Sequence, residues 1–67
     1  GGTWPAALVG ADEVAVEMFL GRKIGFTEIG SVIERALADH DPVMNPSVRE
    51  IIESSTETGA RVRAVIS

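Results

Sequence analysis

The chain has no cysteine, no tyrosine and only three aromatic residues, Trp4, Phe19 and Phe26. Without cysteine no disulfide can staple the fold, and cysteine usage says nothing about the redox compartment. The single histidine, His40, leaves little for a structural metal site. With aromatics so scarce, a core must come from Leu, Ile, Val and Ala. Basic residues are also few: six Lys and Arg face ten Asp and Glu, for a formal net charge of -4. A phosphate-binding surface needs the opposite sign, so the expected partners include no nucleic acid and no membrane surface. No charged-then-apolar leader and no apolar run of about eighteen residues is found. The expectation is a cytoplasmic protein with neither signal peptide nor membrane span.

What is present is 45% hydrophobic, enough for a core and too much for a disordered tail. Sixty-seven residues make one domain at most. A chain this short buries only about 60% of its unfolded surface, so its stability is expected to be marginal.

The spacing predicts an all-α bundle of three to four short helices, over about 4–21, 27–39, 46–53 and 55–66. In the first, Thr3 reads as N-cap and Pro5 as a first-turn residue. Leu8, Ala11, Ala15 and Phe19 form an apolar stripe that Val14 and Met18 widen. Gly10 weakens the helix but permits close packing. Gly21 reads as a left-handed stop, with Arg22 and Lys23 at the negative end of the helix dipole. Thr27 caps the second helix, whose inward set is Ile29, Val32, Ile33, Ala36 and Leu37. Pro42 and Pro46 keep the loop between them out of helix. Asn45 then caps a third helix with Val48, Ile51 and Ile52 inward. Ser54 and Glu57 read as a capping box that breaks it from a fourth, where Val62, Val65 and Ile66 are apolar. Short connections favour antiparallel neighbours. Trp4, Leu8 and Phe19 are the expected buried anchors.

Few residues point to chemistry. Asp39-His40-Asp41 brings metal-type ligands together, yet successive side chains at a helix end diverge, and a solvated terminus explains them. Asp12 and Glu13 do not face each other, so they make no acid–base pair. Glu13 and Glu17 are like-charged neighbours that tolerate each other beside a basic partner. Gly21 and Gly25 flank Arg22-Lys23-Ile24 and open no strand–loop–helix phosphate cradle. The Ser54–Thr58 hydroxyls have no local base. A bundle this small also lacks walls for a ligand pocket. No catalytic, cofactor-binding or metal residue is assigned, and the chain alone is not expected to be an enzyme.

One stretch carries a resemblance. Gly1, Gly2, Thr3, Pro5, Ala6, Leu8, Ala11, Glu13 through Glu17, Phe19, Leu20, Ile24, Phe26 and Ile29 follow, without a gap, the pattern that opens a known helical domain. Ala38-Asp39-His40 and Ser47 through Ile52 continue it. The chain resembles the C-terminal helical domain of 1-deoxy-D-xylulose 5-phosphate reductoisomerases. Val9 and Asp12 stand where that family usually has asparagine, and Gly10 where it has alanine. Val9 cannot make an asparagine's hydrogen bonds, and Asp12 can only accept.

The resemblance implies a parent enzyme of the non-mevalonate route to isoprenoid precursors. Such enzymes isomerise and reduce 1-deoxy-D-xylulose 5-phosphate to 2-C-methyl-D-erythritol 4-phosphate. They use NADPH with Mg or Mn, act as homodimers, and hold substrate, metal and nucleotide in two preceding domains. This chain is then a structural, non-catalytic domain whose partner is the catalytic domain of the parent. The alternative is a free-standing helical interaction module, motivated by the small-residue surface at Ala6, Ala7, Gly10 and Ala11. An open reading frame starting near Gly1 favours the module, and several hundred residues upstream favour the domain. A small metal-binding regulator using His40 is a third reading, testable by calorimetry.

Overall fold

The computed structural model describes residues 2–66. It has three α-helices and, among the described residues, no strand: α1 (Trp4–Leu20), α2 (Ile29–Leu37) and α3 (Val48–Ile66), with a 3₁₀ turn at Phe26–Glu28 leading into α2. They form an elongated bundle of 36 × 17 × 17 Å. The face-to-face pairs of α1 and α3 are Gly10 with Ser55, Val14 with Gly59, and Glu17 with Arg63, so these two helices run parallel. The antiparallel α2 lies against both.

The core is narrow because its residues are small. α1 contributes Ala7, Ala11 and Ala15, α2 contributes Val32, Ala36 and Leu37, and α3 contributes Val62. Val14, Ile24, Ile29, Ile33, Val65 and Ile66 pack partly buried around them. The inward set expected for the second helix is therefore the set that packs. The stripe expected for the first is rotated: Ala7, Gly10, Ala11 and Ala15 are buried while Leu8 points outward. A helix that approaches its neighbour this closely needs small side chains in the seam, and small residues leave a faint hydrophobic signature. Of the expected anchors, Trp4 is 43% and Leu8 42% exposed. Phe19 is half-buried, edge-on to the exposed Phe26.

The expected break at Ser54 is absent, and α3 is one helix. Ser54, Thr58 and Gly59 are its buried face. A Cβ on Gly10 would overlap the Ser55 carbonyl oxygen and stand 2.8 Å from Ser55 Cα. One on Gly59 would stand 2.8 Å from Val14 Cγ2. The poor helix formers are what let α3 lie against α1, and that packing outweighs their propensity. The Thr58 hydroxyl donates to the Ser54 carbonyl at 2.7 Å, so its burial leaves no unpaired donor.

Helix ends also differ from the expectation in position. The capping box of α3 is Ser47 with Glu50 rather than Ser54 with Glu57. Glu50 N–H donates to Ser47 Oγ at 3.1 Å, and Ser47 N–H donates to Glu50 Oε1 at 3.0 Å. Asn45 lies outside the helix in the left-handed region, φ 51°, which its short amide side chain tolerates. The left-handed residue after α1 is Arg22, φ 62°, while Gly21 has φ -81°. Lys23 N–H donates to Met18 O at 2.8 Å and Arg22 N–H to Phe19 O at 3.0 Å, the paired bonds of a Schellman motif. Thr27 caps nothing. Glu28 takes the Gly25 N–H at 2.8 Å and sets the 3₁₀ turn, so α2 starts two residues later than expected.

Candidate functional site

Thr3 is fully buried, and its side chain does not cap α1. It clasps the start of that helix to the loop after α2 instead. Val43 N–H donates to Thr3 Oγ1 at 2.9 Å, and Thr3 N–H donates to the Val43 carbonyl at 3.1 Å. Thr3 Oγ1 lies 3.1 Å from His40 Nε2. The Thr3 hydroxyl, which accepts from Val43 N–H, either donates to Nε2 or accepts from it according to the imidazole tautomer. The Trp4 ring lies 5.6 Å from the His40 ring, centroid to centroid.

His40 is thus turned toward the body of the domain, while Asp39 and Asp41 are exposed. The three do not converge, and among the described residues no group of three or more His, Cys, Asp or Glu is placed to hold a metal ion. Beside them, the loop and α3 enclose an open cavity of about 250 Å³ whose lining includes Asp39, Asp41, Glu50, Glu57 and Arg61. Arg61 Nη1 is buried there without a hydrogen-bond partner among the described residues. Asp12 and Glu13 are exposed on α1. Glu17 has the basic partner that its spacing from Glu13 calls for: Arg63 Nη2 donates to it at 3.1 Å. The pair is largely solvated and contributes little, about 0–1 kcal/mol. The Thr58 hydroxyl is bonded to the Ser54 carbonyl, while Ser54 itself lines the same cavity as His40, Glu50 and Glu57.

The surface offers apolar area instead. Val48, Ile51 and Ile52 were expected to face inward, and all three are exposed, Ile52 at 60%. Ile51 and Ile52, with Pro5, Ala6 and Val9, edge a side of the α1–α3 seam whose lining includes no residue of α2. The signal for this was the Gly10, Ser55 and Gly59 spacing, which brings the helices close and turns the larger residues at Val9 and Ile52 outward. No described helix is long and apolar enough to cross a membrane.

These features define a small all-α domain with a narrow core and with many of its large apolar side chains exposed. A family model described as the DXP reductoisomerase C-terminal domain matches residues 1–62. The 1-deoxy-D-xylulose 5-phosphate reductoisomerase of Caldanaerobacter subterraneus subsp. tengcongensis is 48% identical over 62 residues, covering 92% of this chain and 16% of that protein. That of Bacillus cereus (strain AH187) is 43% identical over 58 residues, covering 87% and 15%. That of Halalkalibacterium halodurans is 42% identical over 66 residues, covering 98% and 17%. The chain spans about a sixth of the length of these relatives. No solved structure matches. The chain belongs to the DXP reductoisomerase C-terminal domain family.

Proposed function

We propose that this chain is the C-terminal structural domain of a longer cytoplasmic enzyme. That enzyme converts 1-deoxy-D-xylulose 5-phosphate to 2-C-methyl-D-erythritol 4-phosphate with NADPH and Mg or Mn, as a homodimer. The observation that carries this reading is the family match over residues 1–62, supported by relatives of that name at 42–48% identity. The domain itself is non-catalytic. Its donor chemistry does not fit the metal: His40 Nε2 is engaged by Thr3, and among the described residues no three His, Cys, Asp or Glu side chains are placed to hold an ion. Nor does it fit the nucleotide, since among the described residues no strand leads through a glycine-rich loop into a helix. Both groups belong to preceding domains, and no step of the reaction is assigned to residues of this chain. Its part is to pack against the catalytic domain and hold the shape of the active-site region.

The test is turnover by the full-length protein. With 1-deoxy-D-xylulose 5-phosphate, NADPH and Mg or Mn, absorbance of the nicotinamide should fall at a rate set by substrate, and chelation should stop it. A full-length protein that oxidises no NADPH with this substrate and either metal contradicts the reading.

A further inference from the structure

We infer that the open cavity between the α2–α3 loop and α3 binds a free aliphatic diamine or polyamine through its ammonium groups. Only residues of this chain take part, so the site does not depend on the reductoisomerase reading. Asp39 and Asp41 line the cavity from the segment after α2, and Glu50, Glu53 and Glu57 line it from α3. The three glutamates follow one another at three and four residues, so they share a helix face about 10 Å long. Like charges at that spacing repel. Among the described residues none of the five carboxylates is in an ion pair. Glu50 is the one already engaged, as acceptor of the Ser47 N–H. The cationic side chain in the lining is Arg61, which also lines the next depression beside Arg35 and whose buried Nη1 pairs with none of the carboxylates. Five negative groups against one positive leave a field that concentrates cations.

Ser54 narrows the class of cation. It lines the cavity while only 8% exposed, and its hydroxyl has no hydrogen-bond partner among the described residues. Its carbonyl is the group that takes the Thr58 hydroxyl. Buried hydroxyls are normally paired, so the partner of this one comes from the contents of the cavity. An ammonium group brings three N–H donors and no acceptor, which suits one hydroxyl oxygen and the carboxylates around it. A metal ion fits less well, because no three His, Cys, Asp or Glu among the described residues are placed to hold one. Ammonium hydrogen bonds of about 2.7–3.2 Å can reach carboxylates on separate segments without a shared coordination sphere. Two ammonium groups on one aliphatic spacer match charge spread along the α3 face, and the cavity, about 250 Å³, has room for a four-carbon diamine.

The experiment titrates 1,4-diaminobutane into the full-length protein by calorimetry, in low-salt buffer without nucleotide or metal. The expected result is saturable binding that Ser54→Ala weakens about tenfold and Glu57→Gln about threefold. Glu34→Gln, exposed on α2 outside the cavity, should leave it unchanged. Tetramethylammonium, charged but without an N–H, should bind about tenfold or more weakly. Alanine is a better helix former than serine, so lost binding in Ser54→Ala does not reflect a weakened helix, and Glu57→Gln gives a second reading. Absence of saturable heat overturns the assignment, as does equal affinity in both cavity variants, which puts the amine elsewhere. Tetramethylammonium binding as tightly as the diamine also overturns it, and so does displacement of the diamine by an equal concentration of magnesium chloride. NADPH turnover by the same preparation separates the two claims: an active enzyme that ignores the diamine loses only this inference, and an inactive one that binds it loses only the reductoisomerase reading.

Discussion

Gly10 sits where α1 and α3 come closest, and any side chain there meets backbone that cannot move aside. Gly10→Ala gains about 1 kcal/mol in helix propensity. It also forces the Ser55 carbonyl away, and overpacking of this kind costs about 1–3 kcal/mol. Because the obstacle is backbone, the net change should be destabilising, read as a lower midpoint in thermal denaturation. Gly30 gives the opposite sign from the same substitution. A Cβ there meets nothing within 4 Å, and the residue lies in the first turn of α2. Gly30→Ala should therefore raise stability by about 0.4–1 kcal/mol. Arg22 is a third residue whose backbone decides the outcome. It holds the left-handed position of the Schellman motif, φ 62°, where a Cβ is disfavoured. Arg22→Gly should stabilise by a few tenths to about 1 kcal/mol, the relief being offset in part by the greater freedom of glycine in the unfolded chain. A drop in the denaturation midpoint for Arg22→Gly contradicts that account.

Helix α3 is built from two halves that satisfy different demands. Its N-terminal end is fixed by the Ser47–Glu50 box, which pairs two backbone N–H groups reciprocally. Ser47→Ala should cost about 0.5–2 kcal/mol and fray the first turn, visible as faster amide exchange at Arg49 and Glu50 with residues beyond Ser54 little changed. Its middle runs through Ser54, Ser55, Thr58 and Gly59, which read as a break in sequence and pack as a seam in space. The second helix was legible because a short amphipathic stripe of Ile29, Val32, Ile33, Ala36 and Leu37 carries its own signal. The first was legible in extent, but its buried face was not, since alanine and glycine mark close approach without marking hydrophobicity. The same effect hid the apolar edge of the α1–α3 seam: Ile51 and Ile52 are strongly apolar, and periodicity alone sends them inward. Only the position of α1 against Gly59 and Ser55 turns them out. The Thr3–Val43–His40 clasp joins residues about forty apart, and nothing local announces it. What the sequence did carry locally was the motif from Pro5 to Ile29, and with it the family.

Taken whole, the molecule is a rod with a thin core. Its largest fully buried side chains are Val62, Thr3 and Thr58, while Trp4, Phe26, Leu20 and Ile52 stand at the surface. A core of this size supplies no more than about 3–5 kcal/mol, so the domain gains by being held against a larger body. On the proposed reading its part is to brace that body. The most direct measurement is NADPH oxidation by the full-length enzyme, by the same enzyme with residues 1–67 of this chain removed, and by the 67-residue chain alone. The expected outcome is turnover by the full-length protein, a large loss on removal and none by the chain alone. Undiminished turnover after removal, or turnover by the isolated chain, contradicts the account.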